Sequence, residues 1–400
     1  MTVLAGFIAE ATPDPVLDGN LTRSKAQSLI ECAVLSYKKR EEVAKAVGWK
    51  EKGEPEGKEE KLLRFEWFEA VGRTFDSQGF ACVVRGPAPS AVVHVILAFR
   101  GTKQIRDFLT DALIIKKPLK DFNGEVANDL GLVHYGFQHS LDSLWSDSRK
   151  ARRNAISTIG KPIDQFLREV YQQYVASAVS VDQPSPESQL WLTGHSLGAA
   201  LATIAAARIR LTDGAPFKDS IGGLVTIGSP RALDNQAADK LRQSLESAKI
   251  CRIHRSIDPV PAVPYWGFRH VSGRKAFVTK QGNLVMGARK SRRWADRFAA
   301  WLRTLEDSIG SALPGQHRGF AGFVSDHASE DYLKAVQYYK ETNRLRIRDS
   351  AIPIVVPLSK LLGAVVAGWT AAQTTGVSEV ATTIVQVLRA GAETIVALIL

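Results

Sequence analysis

The chain has 400 residues, of which 45% are hydrophobic and 23% are charged, a balance that excludes a wholly disordered protein and allows a large buried core. Its formal net charge of +11 favours an anionic partner, either nucleic acid or a lipid surface. Because no zinc-finger spacing, RNP-like aromatic block or basic heptad region accompanies this charge, nucleic-acid binding is not expected. The three cysteines, Cys32, Cys82 and Cys251, are odd in number and lack metal-ligand spacing, which argues against a disulfide framework.

The first elements run from the N-terminus to residue 61. Residues 1–20 are expected to form a tail, and they lack lysine and arginine, so they do not have the pattern of a secretory signal. A cytoplasmic location is therefore the expectation. Residues 21–49 have helical periodicity, and the charged segment 49–61, broken by glycine and proline, predicts a solvated loop.

The middle of the chain alternates between strand and helix patterns. Short β-type runs begin at residue 65 and end with the buried-strand pattern AVVHVILAFRG. The following segments are predicted in turn as helix 142–178, strand 189–193, helix 197–211, strand 223–227, helix 235–248 and strand 250–257. This alternation predicts an α/β fold whose mainly parallel central sheet is flanked by helices on both faces.

The sequence GHSLG places Ser196 between an apolar run, LWLT, and an alanine-rich helical run. In the pattern Gly-x-Ser-x-Gly, serine occupies a sharp turn from strand to helix, and the flanking glycines remove side chains that would collide there. Such a turn exposes the hydroxyl to a base and to backbone donors, which a serine needs to act as a nucleophile. We therefore predict that Ser196 is a catalytic nucleophile.

A nucleophilic serine needs a histidine as its base. In α/β folds that carry the Gly-x-Ser-x-Gly turn, this histidine comes after the serine in the sequence. Downstream histidines are His254, His270, His317 and His327. His327 is predicted as the base because it lies in a loop just before a helical pattern. His317, in a loop rich in glycine and proline, is the main alternative, whereas the other two lie in or beside strand-like runs, where a histidine is more often structural.

The base in turn needs an orienting carboxylate. Asp258 ends the strand pattern ICRIHRSI and precedes Pro259, which places it at the carboxyl edge of the predicted sheet, where open α/β sheets hold their sites. Asp234 is the alternative acid, and its competing interpretation is a helix N-cap.

The oxyanion that forms on an attacked ester needs backbone donors. Leu197 directly follows the nucleophile, and Thr102 follows the buried strand pattern LAFRG, so both are predicted to line the oxyanion hole. Beyond Thr102, an amphipathic helix is predicted over residues 103–113, either as a lid or as a fixed surface helix. Its apolar face would consist of Ile105, Phe108, Leu109 and Ala112.

These motifs together resemble those of the class 3 lipases, a group of α/β-hydrolases. The matching stretches include ILAFRGTKQIRDFLTDA, LWLTGHSLGAALA, LVTIGSPRA, RIHRSIDPVPAVPYWGFRHV and SDHASEDYL, in the family's order, within a domain expected over residues 21–345. The resemblance implies the triad Ser196, Asp258 and His327, the same two oxyanion donors and a lid. It implies no metal or cofactor, and a lipid ester as substrate.

Two segments of the sequence are not typical of a compact lipase, and both suggest contact with a membrane. The insertion at about 288–318 begins with a basic amphipathic pattern that suits either an anionic headgroup layer or packing on its own domain. The apolar region 346–400 is expected to be helical, either associated with a membrane or folded as a hairpin on the domain or a partner.

The sequence as a whole predicts a serine carboxylic ester hydrolase, a lipase that cleaves acyl esters of glycerolipids at a lipid interface. Three alternatives remain open at this point. They are a phospholipase A1-type activity, an acyltransferase or thioesterase activity with the same triad, and a lipase-like membrane-interacting protein without turnover.

Overall fold

The structure is a computed structural model. It describes residues 3–8, 16–18, 21–49, 61–72, 76–87, 92–102, 115–146, 155–176, 187–245, 249–255, 258, 260–264, 267–271, 273–278, 284–286 and 327–337. The chain divides into two compact units. The first comprises residues 1–255, 260–287 and 327–343 and contains every described helix and strand, and the second comprises residues 256–259, 288–326 and 344–400, of which Asp258 is described.

The elements of the first unit follow one another along the chain as helices and strands. The described helices are α1 (Ala5–Ile8), α2 (Arg23–Leu35), α3 (Arg40–Val47), α4 (Tyr135–Trp145), α5 (Ile163–Tyr171), α6 (Leu197–Leu211), α7 (Asn235–Ser244) and α8 (Ser329–Gln337). The described strands are β1 (Val16–Asp18), β2 (Leu21–Thr22), β3 (Leu62–Gly72), β4 (Asp76–Arg85), β5 (Val93–Phe99), β6 (Lys116–Pro118), β7 (Leu132–His134), β8 (Ala155–Ile159), β9 (Ser188–His195), β10 (Ile221–Ile227), β11 (Ile250–Arg255), β12 (Arg274–Val278) and β13 (Leu284–Met286).

The largest described sheet has nine strands in the order β13-β12-β11-β10-β9-β5-β4-β3-β8. The five neighbours from β12 to β5 pair in parallel, whereas the pairings at both ends of the sheet are antiparallel. The predicted α/β fold with helices flanking the sheet is confirmed, and the sheet itself is mixed. Thr102 and Ser196 follow β5 and β9 of its parallel part, and the carboxyl ends of parallel strands meet at one edge.

Both faces of the sheet are buried, which explains the nearly continuous hydrophobic runs of its central strands. Side chains alternate along β5, so Val95 and Leu97 pack in one core with α4 to α7, while Ile96 packs in a second core with α1, α2, α3 and α8. Trp191 on β9 also lies in the second core, where its ring contacts Phe7 of α1. The strands that carry the site are therefore held from both sides.

The prediction of a mostly helical segment over residues 142–178 is wrong. In the structure α4 ends at Trp145, β8 pairs antiparallel with β3, and α5 follows. The sequence of β8, AISTI, is rich in β-branched residues, which suit a pleated strand. Ile156 and Ile159 of this edge strand are 73% and 48% exposed, so the strand lacks the alternation that reveals a half-buried strand.

Residues at the N-terminus contribute to the core, because Leu4 and Phe7 are buried. The predicted helical segment 21–49 contains two helices, α2 and α3, joined by a turn. The predicted lid at 103–113, the insertion at 288–318 and the apolar region 346–400 lie outside the described residues, as does most of the charged loop 49–61. Among the helices that the structure describes, none is both long and apolar enough to cross a membrane.

Candidate active site

The predicted nucleophile occupies the turn between β9 and α6. β9 ends at His195 and α6 begins at Leu197, so Ser196 alone makes the turn. Its backbone has φ 59° and ψ −127°, a conformation that side-chain-bearing residues seldom adopt and that persists only where the surroundings enforce it. The Ser196 N–H donates to the Ile227 carbonyl at 3.0 Å, which ties the turn to the end of β10.

The two glycines of the motif allow the strand and the helix to meet closely. A Cβ atom on Gly194 would overlap the backbone of Gly198, and a Cβ on Gly198 would overlap the Phe99 carbonyl at the end of β5. Larger residues would therefore force β9, α6 and β5 apart. The pentapeptide has the geometry that its sequence predicts.

Leu197 directly follows Ser196, and the loop that carries Thr102 lies against the same turn. The loop after β5 passes directly against the turn, since a Cβ on Gly101 would lie 3.0 Å from the Ser196 Cβ. Thr102 follows as the next residue and is half-buried. Leu197 is the first residue of α6, where backbone N–H groups have no acceptor within the helix and the helix dipole favours negative charge.

The structure brings His327 to the same turn. His327 is buried two residues before α8, and its ring centroid lies 4.4 Å from that of His195, the residue before Ser196. His195 Nε2 lies 2.9 Å from the His327 carbonyl oxygen. The residue predicted as base and the nucleophile turn, 131 positions apart, are thus neighbours in the first unit.

The helix that follows His327 is fixed at the carboxyl end of β11. The Arg255 N–H donates to the Tyr332 hydroxyl at 2.9 Å, and the Arg255 guanidinium pairs with Asp331 at 2.7 Å. Both partners lie on α8, so this helix is held by the last residue of a parallel strand.

The two candidate acids, Asp258 and Asp234, lie in different structural positions. Asp258 follows the end of β11 by three residues and is 3% exposed. Asp234 caps α7, because its carboxylate accepts the Ala237 N–H at 2.9 Å. The carboxylate of Asp234 is therefore engaged in capping a helix, as its competing interpretation predicted.

The structure describes two of the three histidines that were considered beside His327 as the base. His270 Nε2 donates to the Pro261 carbonyl at 2.7 Å, and burial lowers the pKa of His270 well below its usual value. His254 lies on β11 itself. His317 and the predicted lid residues Ile105, Phe108, Leu109 and Ala112 lie outside the described part of the chain.

Two residues near the turn were not predicted from the sequence. The Tyr37 hydroxyl lies 2.9 Å from His195 Nδ1, which joins the end of the α2 region to the nucleophile turn. His195 occupies a variable position of the motif, and Tyr37 ends an ordinary amphipathic pattern, so neither carries a sequence signal. Across the described residues, no three His, Cys, Asp or Glu side chains are placed to bind one metal ion.

Parts of this chain are similar in sequence or in structure to known proteins. The chain is 37% identical over 106 residues to the secreted mono- and diacylglycerol lipase 1 of Fusarium solani, covering 26% of this chain and 29% of that protein. It is 27% identical over 196 residues to phospholipase A1-II 1 of Oryza sativa subsp. indica, covering 47% and 46%. A solved structure of lipase II from Rhizopus niveus has 19% identity and a TM-score of 0.41, covering 64% of this chain and 82% of that one.

The chain thus spans less than half the length of these two sequence relatives. The family model described as lipase (class 3) matches residues 96–268, which include Thr102, Ser196 and Asp258 but neither Tyr37 nor His327. This match confirms the resemblance seen in the sequence motifs: residues 96–268 of the chain are similar to the class 3 lipases.

Proposed function

We propose that this protein is a serine carboxylic ester hydrolase that cleaves acyl esters of glycerolipids. The observation that carries the proposal is the positive-φ turn at Ser196, with the ring of His327 beside the preceding residue. The family match over residues 96–268 supports the same reaction class. The chain order and the burial of Asp258 support it as the third member of the triad.

The first half of the reaction transfers the acyl group to the enzyme. Ser196 Oγ forms a bond to the ester carbonyl carbon while the imidazole of His327 accepts its proton. The backbone N–H groups of Thr102 and Leu197 stabilise the resulting oxyanion. When the bond from carbon to the alcohol oxygen breaks, the imidazolium gives its proton to the leaving alcohol, and Asp258 holds the ring in the required tautomer.

The second half returns the enzyme to its starting state. Water attacks the acyl-enzyme carbonyl, His327 takes a proton from that water, and the bond to Ser196 Oγ breaks. The proton then passes from His327 to the serine oxygen, and the fatty acid leaves. No redox partner is needed for this cycle, and an alcohol in place of water would give acyl transfer by the same steps.

Lipid esters are the substrate class that the comparisons favour. One relative is named a mono- and diacylglycerol lipase and another a phospholipase A1, so both neutral glycerides and phospholipids are candidate substrates. A phospholipase A1-type activity is the second candidate function, and the formal charge of +11 supports it because anionic bilayers attract a cationic protein.

The test compares wild type, Ser196→Ala and Ser143→Ala on a soluble short-chain ester, on dispersed triacylglycerol and on phospholipid vesicles. Ser143 is a matched control, because it is buried and its hydroxyl donates to the Ser140 carbonyl in α4. We expect Ser196→Ala to lose about 10⁴-fold or more of kcat, and Ser143→Ala to retain wild-type activity. Equal rates in wild type and Ser196→Ala would reject the mechanism.

Two further arms of this test separate the alternatives. Addition of acceptor alcohols, with analysis of the products, identifies an acyltransferase by its transfer product. Phospholipid and triacylglycerol turnover are compared directly to distinguish a phospholipase from a triacylglycerol lipase. Absence of turnover on every ester, with retained vesicle binding, would favour the lipase-like interaction protein instead.

We propose in addition that the protein works at a lipid surface. The support is the net charge and the amphipathic sequence pattern within 288–318. Co-sedimentation with anionic and with neutral vesicles tests this, and binding that is equal for both kinds, or absent, would contradict it.

A further inference from the structure

A continuous chain of hydrogen bonds runs beside the nucleophile turn. The Gly101 backbone amide hydrogen-bonds the Tyr37 hydroxyl, which lies 2.9 Å from His195 Nδ1. On the other side of the same ring, His195 Nε2 lies 2.9 Å from the His327 carbonyl oxygen. Three separate parts of the chain, near residues 37, 101 and 327, therefore meet at the His195 ring.

The direction of each hydrogen bond in this chain follows from its partners. A carbonyl oxygen only accepts, so His195 Nε2 carries a hydrogen and donates it to His327. Burial and the nearby His327 lower the pKa of His195 well below its usual value, which keeps the ring neutral and leaves Nδ1 as an acceptor. Tyr37 then donates its hydroxyl hydrogen to Nδ1 and accepts the Gly101 N–H.

Each end of this chain adjoins a residue of the proposed reaction. Gly101 precedes Thr102, and His195 precedes Ser196. The third contact is to the backbone of His327 itself, and the rings of His195 and His327 lie 4.4 Å apart with planes 33° from each other. The hydrogen bonds thus link the oxyanion loop, the nucleophile and the base by their backbones, while leaving the reacting atoms untouched.

Tyr37 is itself held firmly on both sides. The Gln78 side-chain amide donates to the Ser36 and Lys38 carbonyls, each at 3.1 Å, so the residues flanking Tyr37 are tied to β4. Arg100 donates to the Gln78 side-chain oxygen, and Arg100 precedes Gly101 in the oxyanion loop. Burial raises the pKa of the Tyr37 hydroxyl, which keeps it a donor at physiological pH.

We propose that Tyr37 and His195 are positioning residues that hold Thr102, Ser196 and His327 in register for ester hydrolysis. This inference rests on the proposed hydrolase function. Tyr37 lies outside the segment matched to the lipase family, residues 96–268, so the N-terminal helices complete the site that this segment begins. A displacement of about 1 Å in a catalytic group is enough to cost about 10²-fold in rate.

The test uses Tyr37→Phe, which removes only the hydroxyl and leaves a ring to pack against His195. For a soluble ester we expect kcat to fall about 10- to 100-fold while KM stays within about twofold, because the reacting groups are misaligned and the substrate-binding surface is unchanged. The thermal midpoint is expected to stay within a few degrees. Tyr171→Phe, the same change on the partly buried α5, is the matched control and should behave as wild type.

His195 is tested by a pair of variants. His195→Gln retains an amide that is able to donate to the His327 carbonyl and should recover part of the activity, whereas His195→Leu should lose about 10²-fold or more. Because His195→Leu risks misfolding, ¹⁵N NMR of imidazole-labelled Tyr37→Phe provides a second readout. We expect the wild-type His195 signal to be that of the neutral Nε2–H tautomer and the Tyr37→Phe signal to depart from it.

The outcomes separate the inference from the function on which it rests. If wild type hydrolyses esters and Tyr37→Phe matches it in kcat and in the NMR signal, the positioning role is rejected and the hydrolase function stands. If wild type neither hydrolyses esters nor reacts with a phosphonate directed at serine, the proposed function is rejected and the positioning role falls with it. A fall in kcat for Tyr171→Phe equal to that for Tyr37→Phe would also reject it, as a general effect of removing a phenol hydroxyl.

Discussion

The two ends of α6 are both buried and both polar, yet they are built differently. At its N-terminus, Ser196 adjoins the neutral hydrogen bonds of His195. Twelve residues later, at about 18 Å along the helix, the fully buried Arg208 pairs with Asp142, which also binds Lys120 at 2.7 Å. One end is held by neutral donors and acceptors, and the other by charges.

The neutral hydrogen bonds at one end of α6 and the ion pairs at its other end are expected to serve different purposes. Buried charges are costly to desolvate, so the loss of one member of the Arg208 cluster would leave another charge without its partner and destabilise the fold. Trp145 adds a contact, since its ring lies 5.3 Å from the guanidinium of Arg208. Neutral hydrogen bonds fix direction without adding a charge beside His327, the base in the proposed reaction. We therefore expect changes at one end of α6 to alter rate and changes at the other to alter stability.

The largest expected effect is at the proposed triad. Asp258→Asn should lower kcat by about 10⁴-fold, because an amide holds the imidazole in the wrong tautomer, while leaving the free energy of unfolding little changed. Initial rates on a soluble ester measure this, alongside a urea unfolding curve. A loss below about tenfold would remove Asp258 from the triad.

The charged end should give the next largest effect. Arg208→Met is expected to lower the free energy of unfolding by about 3 kcal/mol, because Asp142 keeps Lys120 but loses its buried partner. The activity of the folded protein should stay within about twofold of wild type. Urea unfolding followed by tryptophan fluorescence measures the loss, and a double variant with Asp142→Leu should recover part of it. A large fall in kcat without a fall in stability would contradict the division between the two ends.

We expect His134, which lies directly before the helix that carries Asp142, to make the stability of the protein depend on pH. Burial lowers its pKa from 6.5 to about 4, and its ring stacks on Phe137. Between these two pH values the unfolded chain binds more protons than the folded one, so stability falls as pH drops from about 6.5 to about 4. The full loss is about 3 kcal/mol, from about 1.4 kcal/mol for each pH unit.

His134→Phe keeps a ring against Phe137 and removes the titration. We expect the free energy of unfolding of this variant to fall less than that of wild type when the pH is lowered from 7 to 4.5. Urea unfolding curves recorded at each pH measure both values. Parallel pH profiles for the two proteins would show that His134 is not the group responsible.

The smallest effect sharpens the choice between the acids. Asp234→Ala should cost about 1 kcal/mol of stability through loss of the α7 cap and leave kcat within about twofold. Thermal unfolding and ester hydrolysis on the same preparation measure both quantities. A 10³-fold fall in kcat would instead favour Asp234 over Asp258 as the catalytic acid.

The parts predictable from sequence are those whose signals are local. The pentapeptide around Ser196 specifies its own turn, and the bounds of α6 agree with the prediction of helix 197–211 because its strand-to-helix boundary is set within the motif. The helix after His327 was likewise predicted from the helical pattern that follows this residue.

Tertiary contacts account for what the sequence did not reveal. Tyr37 matters because the α2 region packs beside β9 and β5, and no pattern around residue 37 encodes a partner 158 positions away. The edge strand β8 exposes Ile156 and Ile159, so its hydrophobic side chains do not mark a buried face. A strand of this kind is specified by its pairing with β3 more than by its own periodicity.

The backbone conformation at residue 196 also limits which nucleophile this fold is able to carry. Threonine offers the same hydroxyl, but its branched Cβ makes a positive φ strongly unfavourable. Cysteine is unbranched at that carbon and fits as serine does. Exchange of the attacking atom at this position is thus open to sulfur and closed to a secondary alcohol, which makes a thiol variant the practical starting point for redesigning the proposed acyl chemistry.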